Sequence, residues 1–326
     1  MSDTFKLLTL PSIALGQILK GINSNDLFEL TQCSMKTMQI LRLFERGNKA
    51  FQVGVDFQRN FVEIRGVLKY YSKKAHGDQE EDTKEVKAFN GELVPVIEAE
   101  DKAYKTYWPE QYRGSKEIAE HFIKILGIRT LEQIFISETN PAMEILDWIE
   151  NCGVLMENFD LIGVPENQAI ALANRIYSNE FLGKVKVNFT SFLRVPEDFK
   201  PTHWATGPAI TVGKFQVQHA HWVTVDHLMS LNAGIVILCN CTLKEEDVQK
   251  YLAAWMDGSY RELMYLSLHS KETFNILDII KNLVDIDTID NTIEGIQSII
   301  FNRPSDNKEI DLELKNDGKN FIALVY

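Results

Sequence analysis

WVTVDHLMSLNAGIVILCNCTLKEEDVQKYLAAWMDGSYRELMYLSL, Trp222 to Leu268, sets the fold class. Ile235 to Leu238 is a four-residue aliphatic run, short enough for a buried strand. Thr242 and Glu245 have capping-box spacing, in which each side chain satisfies an orphan backbone donor of a helix start. Val248, Tyr251, Leu252, Trp255 and Met256 then fall on one helical face, and Asp257-Gly258 ends it. Leu263 to Leu268 reads as the next strand. Strand, helix and strand within so few residues predict an α/β unit with parallel strands and right-handed crossovers.

Similar units recur upstream. Helical spacing appears at Ile118, Phe122, Ile125 and Leu126 after Ser115-Lys116-Glu117, again at Ile145, Leu146 and Ile149 after Asn140-Pro141, and at Ile170, Ala173, Ile176 and Tyr177. Strand patterns lie between them at Leu131 to Ile136, Phe159 to Ile162 and Val185 to Phe189, and Phe274, Leu277, Ile280 and Leu283 mark a further helix. Units repeating at about 25–35 residues follow leucine-rich-repeat logic, each burying its face against its neighbours. The strict repeat consensus is absent, and a compact α/β domain is the competing arrangement. After Ile299 the pattern turns antiparallel. Ile310, Leu312 and Leu314 alternate with charged residues, Asn316-Asp317-Gly318 turns, and Phe321 to Val325 pairs back, capping the open edge of the array.

The other informative stretch is FKLLTLPSIALGQILKGINSNDLFELTQCSMKTMQILRLF, Phe5 to Phe44. Leu10-Pro11 opens a helix carrying Ile13, Ala14, Ile18, Leu19 and Ile22, with Gly21 near its end. Leu27, Phe28 and Leu30 form a second short apolar segment, and Ser34 caps a third with Met38, Leu41 and Phe44. Each is too short to be stable alone, so the group needs a partner or the following domain. Beyond Gly47 the period changes to two: Phe51 to Phe57 and Phe61 to Arg65 alternate around Gln58-Arg59-Asn60, a β-hairpin. Ser72 to Lys87 is rich in charge and reads as an exposed loop, while Tyr104, Tyr107, Trp108 and Tyr112 cluster as core.

Composition narrows the function. With 326 residues, 45% hydrophobic and 25% charged, the chain is globular, of two domains or a small module plus a larger domain. A formal net charge of −12 argues against nucleic acid or an anionic membrane as partner, since both need basic patches. No apolar run approaches a membrane span and no secretory leader is visible, so Cys33, Cys152, Cys239 and Cys241 are expected to be reduced thiols in the cytoplasm or nucleus. His219, His221, His227, Cys239 and Cys241 offer the best metal candidate, but their spacing matches no zinc module, and neither a metal nor a cofactor is expected. Asp285, Asp287 and Asp290 lack the glycine and terminal glutamate of a calcium loop. No phosphate-binding loop, nucleophile elbow or HExxH occurs, so no catalytic residue is assigned.

The N-terminal stretch resembles an F-box: Leu10-Pro11 at the start of helix one, the ladder Ile13, Ile18 and Leu19, the segment Asp26 to Leu30, and Cys33-Ser34. Met35 and Met38 stand where many members carry a tryptophan. Trp222 to Leu268 is similar to the F-box-associated domain, type 2, found downstream of F-boxes in a large nematode family. Its hallmarks are matched by Asp226 to Asn232, the aliphatic strand, and the helix end Trp255 to Gly258, while the C-terminal turn is altered to Arg303-Pro-Ser-Asp306. The resemblance implies a three-helix F-box at 1–48, a hairpin and charged loop at 49–100, and a substrate-recognition domain at 101–326 with the associated region at about 200–270. It implies a non-catalytic adaptor in a Skp–cullin–F-box ubiquitin ligase. Leu10, Pro11, Ile13, Ile18, Leu27, Phe28 and Leu30 would meet a Skp-type adaptor, and through it cullin and RING subunits, and the C-terminal part would hold a protein substrate. A stand-alone interaction scaffold is the main alternative, and a metal-dependent hydrolase built on the His/Cys cluster is the other.

Overall fold

The computed structural model describes residues 10–22, 30, 51–75, 85–100, 103–204, 210–283, 298–304, 306–315 and 318–326. The chain divides into two compact units, Met1–Phe135 with Met143–Leu155, and Ile136–Ala142 with Met156–Tyr326. Both are mixed α/β.

The first unit begins with helix α1 (Ser12–Gly21), where Pro11 stands at the N-cap and the Leu15 N–H donates to the Pro11 carbonyl at 3.0 Å. Strands β1 (Val53–Asp56) and β2 (Phe61–Ile64) form the expected hairpin. Its turn is closed by Asp56, which accepts from the Arg59 N–H at 2.8 Å, with Asn60 at φ 55°. Four more elements follow: β3 (Leu68–Lys74), β4 (Glu85–Phe89), β5 (Glu92–Ala99) and β6 (Ala103–Trp108). Helix α2 (Gln111–Leu126), β7 (Thr130–Ser137) and helix α3 (Ala142–Cys152) complete it. The sheet order in this unit is β7-β1-β2-β3-β6-β5-β4, with β1–β7 and β3–β6 parallel and the rest antiparallel.

Two readings of this region are corrected. Ser72 and Lys87, the ends of the expected loop, are buried within strands, so among the described residues the strands run further and the loop is shorter. Helix α2 starts at Gln111 rather than at Ser115, because Ser115 is fully buried and its hydroxyl lies 3.3 Å from that of Ser72. Of the aromatic cluster expected as core only Trp108 is sealed, among Tyr70, Phe89 and Phe122, with its indole N–H donating to Thr106 Oγ1 at 2.8 Å; Tyr104, Tyr107 and Tyr112 are half-buried.

Trp108 lies against Gly114, where an added Cβ would sit 2.4 Å from the indole. Helix propensity alone favours Ala over Gly by about 1 kcal/mol. Overpacking costs about 1–3 kcal/mol and should reverse the sign. We therefore expect Gly114→Ala to lower the thermal midpoint; a raised midpoint would show that the indole is not held there.

The second unit holds β8 (Leu155–Ile162), helices α4 (Glu166–Ile176) and α5 (Asn179–Leu182), β9 (Val185–Ser191) and β10 (Ile210–Val217). Helix α6 (Val225–Met229), β11 (Leu231–Cys241), helix α7 (Glu245–Met256), β12 (Tyr265–Ser270) and helix α8 (Ile276–Ile280) follow. The chain closes with β13 (Ser298–Asn302), β14 (Glu309–Lys315) and β15 (Asn320–Val325). Strands β8 to β12 are parallel and lie in sequence order; β15, β14 and β13 then continue from β12 as an antiparallel meander.

Register aligns one buried row across this sheet: Phe159, Phe189, Phe215, Val236, Leu266, Ala323, Leu312 and Ile299. The first three rings stack, with centroids 5.8 Å apart for Phe159–Phe189 and 5.3 Å for Phe189–Phe215. Toward the start of β10 the strands close up: a Cβ on Gly213 would meet the Val187 carbonyl oxygen at 2.7 Å, so only glycine fits.

The altered turn at Arg303 is a structural latch. The Arg303 side chain is fully buried, its guanidinium 4.6 Å above the Trp255 ring, and it grips Asp306 through two hydrogen bonds, Nε to Oδ1 at 2.7 Å and a second from Nη2 to Oδ2. The hydrogen bonds from Arg303 hold the Asp306 carboxyl down at about 2.

Candidate functional site

The predicted docking face on α1 divides in two. Leu15 and Leu19 are buried, with Leu10, Ile22, Leu30 and Phe51 packed against them, so Leu10 and Leu30 lie half-buried in this cluster. Pro11 is exposed, and Ile13 and Ile18 are 81% and 39% exposed. Leu27 and Phe28 lie outside the described residues. Leu15 was not named from the sequence, although Leu15, Leu19 and Ile22 recur at i, i+4, i+7 and so define the inward stripe. The remaining isoleucines point out because no helix can turn all of its apolar positions one way. An isoleucine four-fifths exposed is apolar surface left for something to cover.

The segment singled out in the C-terminal half is a hub of local hydrogen bonds. Thr224 caps α6: its Oγ1 accepts from the His227 N–H at 3.4 Å, and His227 Nδ1 accepts from the Thr224 N–H at 3.2 Å. Ser230 Oγ donates to the His227 carbonyl and accepts from the Trp204 indole, both at 2.7 Å. The Tyr260 hydroxyl donates to the Met229 carbonyl at 2.6 Å, and Asp226 meets Lys250 of α7 at 3.1 Å. Leu228 and Leu231 are fully buried beneath. The motif therefore ties α6, α7 and β11 together; its polar groups are used in the fold. Thr242, expected to cap α7, instead donates to the His221 carbonyl at 2.8 Å; Asp247 takes over by accepting from the Lys244 N–H at 3.0 Å.

Residues 210–268 match the F-box associated family. The match begins at β10, upstream of Trp222, and ends within β12 at Leu268, the end of the stretch that the sequence pointed to. The chain is also similar to the Skn-1 dependent zygotic transcript 15 protein of Caenorhabditis elegans, 23% identical over 284 residues that cover 82% of this chain and 80% of that one. A second similarity is to the E3 ubiquitin-protein ligase hecw-1 of the same organism, 20% identical over 171 residues, 52% of this chain and 12% of that protein. No solved structure matches at a significant level.

The His/Cys cluster does not assemble into a ligand set: among the described residues no three His, Cys, Asp or Glu side chains are placed to hold a metal ion. His221 Nε2 lies 2.9 Å from the Pro196 carbonyl. Cys241 is buried, which pushes its thiol up to about 11, and burial also raises that of Cys239. Burial lowers His227. Among the described residues no helix is long and apolar enough to cross a membrane.

Proposed function

We propose that the chain is a non-catalytic substrate-recognition subunit of a Skp–cullin–F-box ubiquitin ligase, working in the cytoplasm or nucleus. Its N-terminal helices dock on a Skp-type adaptor, which connects it to cullin and RING subunits, and the body of the chain holds a protein substrate. The reading is carried by the F-box associated match at 210–268 lying downstream of a Leu-Pro helix with outward isoleucines. Ile13 and Ile18, with Pro11, present the surface; Leu10 and Leu30 support it from the cluster behind, and Leu27 and Phe28 extend it in sequence. The mechanism is proximity: a tethered substrate meets the ubiquitin-charged enzyme at high effective concentration.

Co-purification with a Skp-type adaptor tests this. Burying one isoleucine is worth about 2 kcal/mol, so Ile13→Asp with Ile18→Asp should weaken adaptor binding by at least about a hundredfold while leaving the circular dichroism spectrum unchanged. Undiminished adaptor binding by a folded double variant would sink the docking assignment.

A further inference from the structure

In the first unit α2 packs across β3 and β6, covering one face of the sheet. On the opposite face the described side chains are half-buried or exposed. Register places Phe61, Tyr71, Lys105 and Ile97 side by side across β2, β3, β6 and β5, and Lys73, Tyr107, Pro95 and Val86 in the next row. None of these eight side chains is buried. Leu93, opposite Ala88 at the far end, is 73% exposed, and Val86 is 57% exposed. Alternation normally puts polar residues on a solvated face. Here it puts rings and aliphatic groups there, interleaved with ammonium groups.

The lysines are held against the rings. Lys69 Nζ lies 4.3 Å from the Phe61 centroid and Lys73 Nζ 5.7 Å from that of Tyr71. Lys69 also pairs with Glu63 at 3.1 Å, whereas among the described residues Lys73 and Lys105 have no carboxylate partner within salt-bridge distance. In a chain of net charge −12, Lys73 and Lys105 thus stand as two unneutralised cations beside the half-buried rings of Tyr71 and Tyr107. A groove of about 820 Å³ opens on the face at one end, where Lys69, Tyr71 and Lys105 share its wall with Glu63, Glu98 and Glu100. A uniformly charged polyphosphate laid across the face would meet those carboxylates. A polypeptide can place discrete acidic side chains at Lys73 and Lys105 and apolar ones over Tyr107, Val86 and Leu93.

We propose that this face binds an extended acidic segment of a partner protein that also carries aromatic or aliphatic side chains. The inference deepens the ligase reading by naming a chemistry for the protein held. Strand addition at the free edge of β4 is disfavoured, because Lys87 points inward there, buried with its ammonium 4.4 Å from the Tyr104 ring. The partner would lie on the face rather than extend the edge.

The test uses the full chain without any adaptor, so its result is independent of adaptor binding. Fluorescence anisotropy is measured with a labelled glutamate–tyrosine copolymer, with poly-glutamate and with oligouridylate. We expect the copolymer to bind about tenfold more tightly than poly-glutamate, and Lys73→Glu with Lys105→Glu to weaken it about tenfold or more. Rising salt should weaken it further. Leu93→Asp should weaken copolymer binding with both lysines intact, while Lys200→Glu with Lys319→Glu, exposed charges of the second unit, should leave it unchanged. Circular dichroism verifies that each variant is folded. The proposal is overturned if the copolymer binds no better than poly-glutamate, if oligouridylate binds more tightly, or if folded charge-reversal variants bind as well as wild type.

Discussion

Phe189→Ala is expected to destabilise the protein by about 4 kcal/mol, the range found when a buried aromatic ring is deleted and its cavity cannot collapse. Phe189 is sealed between two parallel rings, Phe159 on β8 and Phe215 on β10, and the Tyr177 ring lies tilted against it with centroids 6.0 Å apart. Neither neighbour can slide into the gap, since both sit in registered strands paired directly to β9. Urea denaturation should show a lower midpoint with an unchanged slope. Lys214→Ala makes a control: it alternates with Phe215 on β10, faces the other way and is only half-buried, so its effect should stay within about 0.5 kcal/mol. Comparable losses in the two variants would mean that the phenylalanine row is not the core of the second unit.

The second large effect is a pH dependence centred on His121. Burial pushes this imidazole down to about 4, and Lys124 pushes in the same direction. Its Nδ1 accepts from the Asn90 N–H at 3.3 Å, a role that only the neutral ring can fill, and the ring makes a T-shaped contact with Phe89, centroids 5.4 Å apart. The folded value lies below the unfolded one, so on acidification the unfolded chain takes up the proton first. The neutral ring's contribution is complete above about pH 6.5 and falls away toward pH 4, by about 3 kcal/mol in all. His219 and His227 are also lowered and add the same sign, so the difference between wild type and His121→Gln isolates the site. Denaturation midpoints at pH 7 and pH 4.5 should converge for the two proteins as the pH falls. Parallel pH dependences would show that His121 titrates normally.

The strand–helix–strand order of the C-terminal half was legible because its elements are short, buried and bounded by strong turn residues. Ile235 to Leu238 fell inside β11, and the face Val248, Tyr251, Leu252 and Trp255 is the buried side of α7. The antiparallel closing strands were legible through the alternation at Ile310, Leu312 and Leu314. What escaped was decided by distant partners. Strands β3 and β4 reached into a stretch that reads as solvated, because Ser72 is sealed beneath Ser115 and the Lys87 ammonium rests on Tyr104. Thr242 had the spacing of a cap but found the His221 carbonyl instead. On α1 periodicity announced a helix, but which stripe faces inward depends on Phe51, far along the chain. The basic aromatic face had no local signature at all, since Phe61, Tyr71 and Tyr107 become neighbours only through the β2-β3-β6 register.

The Arg303 latch has a consequence for dissection of the molecule. A polypeptide cut just after Ser270 would contain every residue of the family match, yet it would strip β12 of its neighbour β15 and leave the Trp255 ring without the cation that covers it. The recognisable segment is thus shorter than the smallest piece able to stand alone, and subcloning along the homology boundary should yield insoluble material where extension to Tyr326 does not.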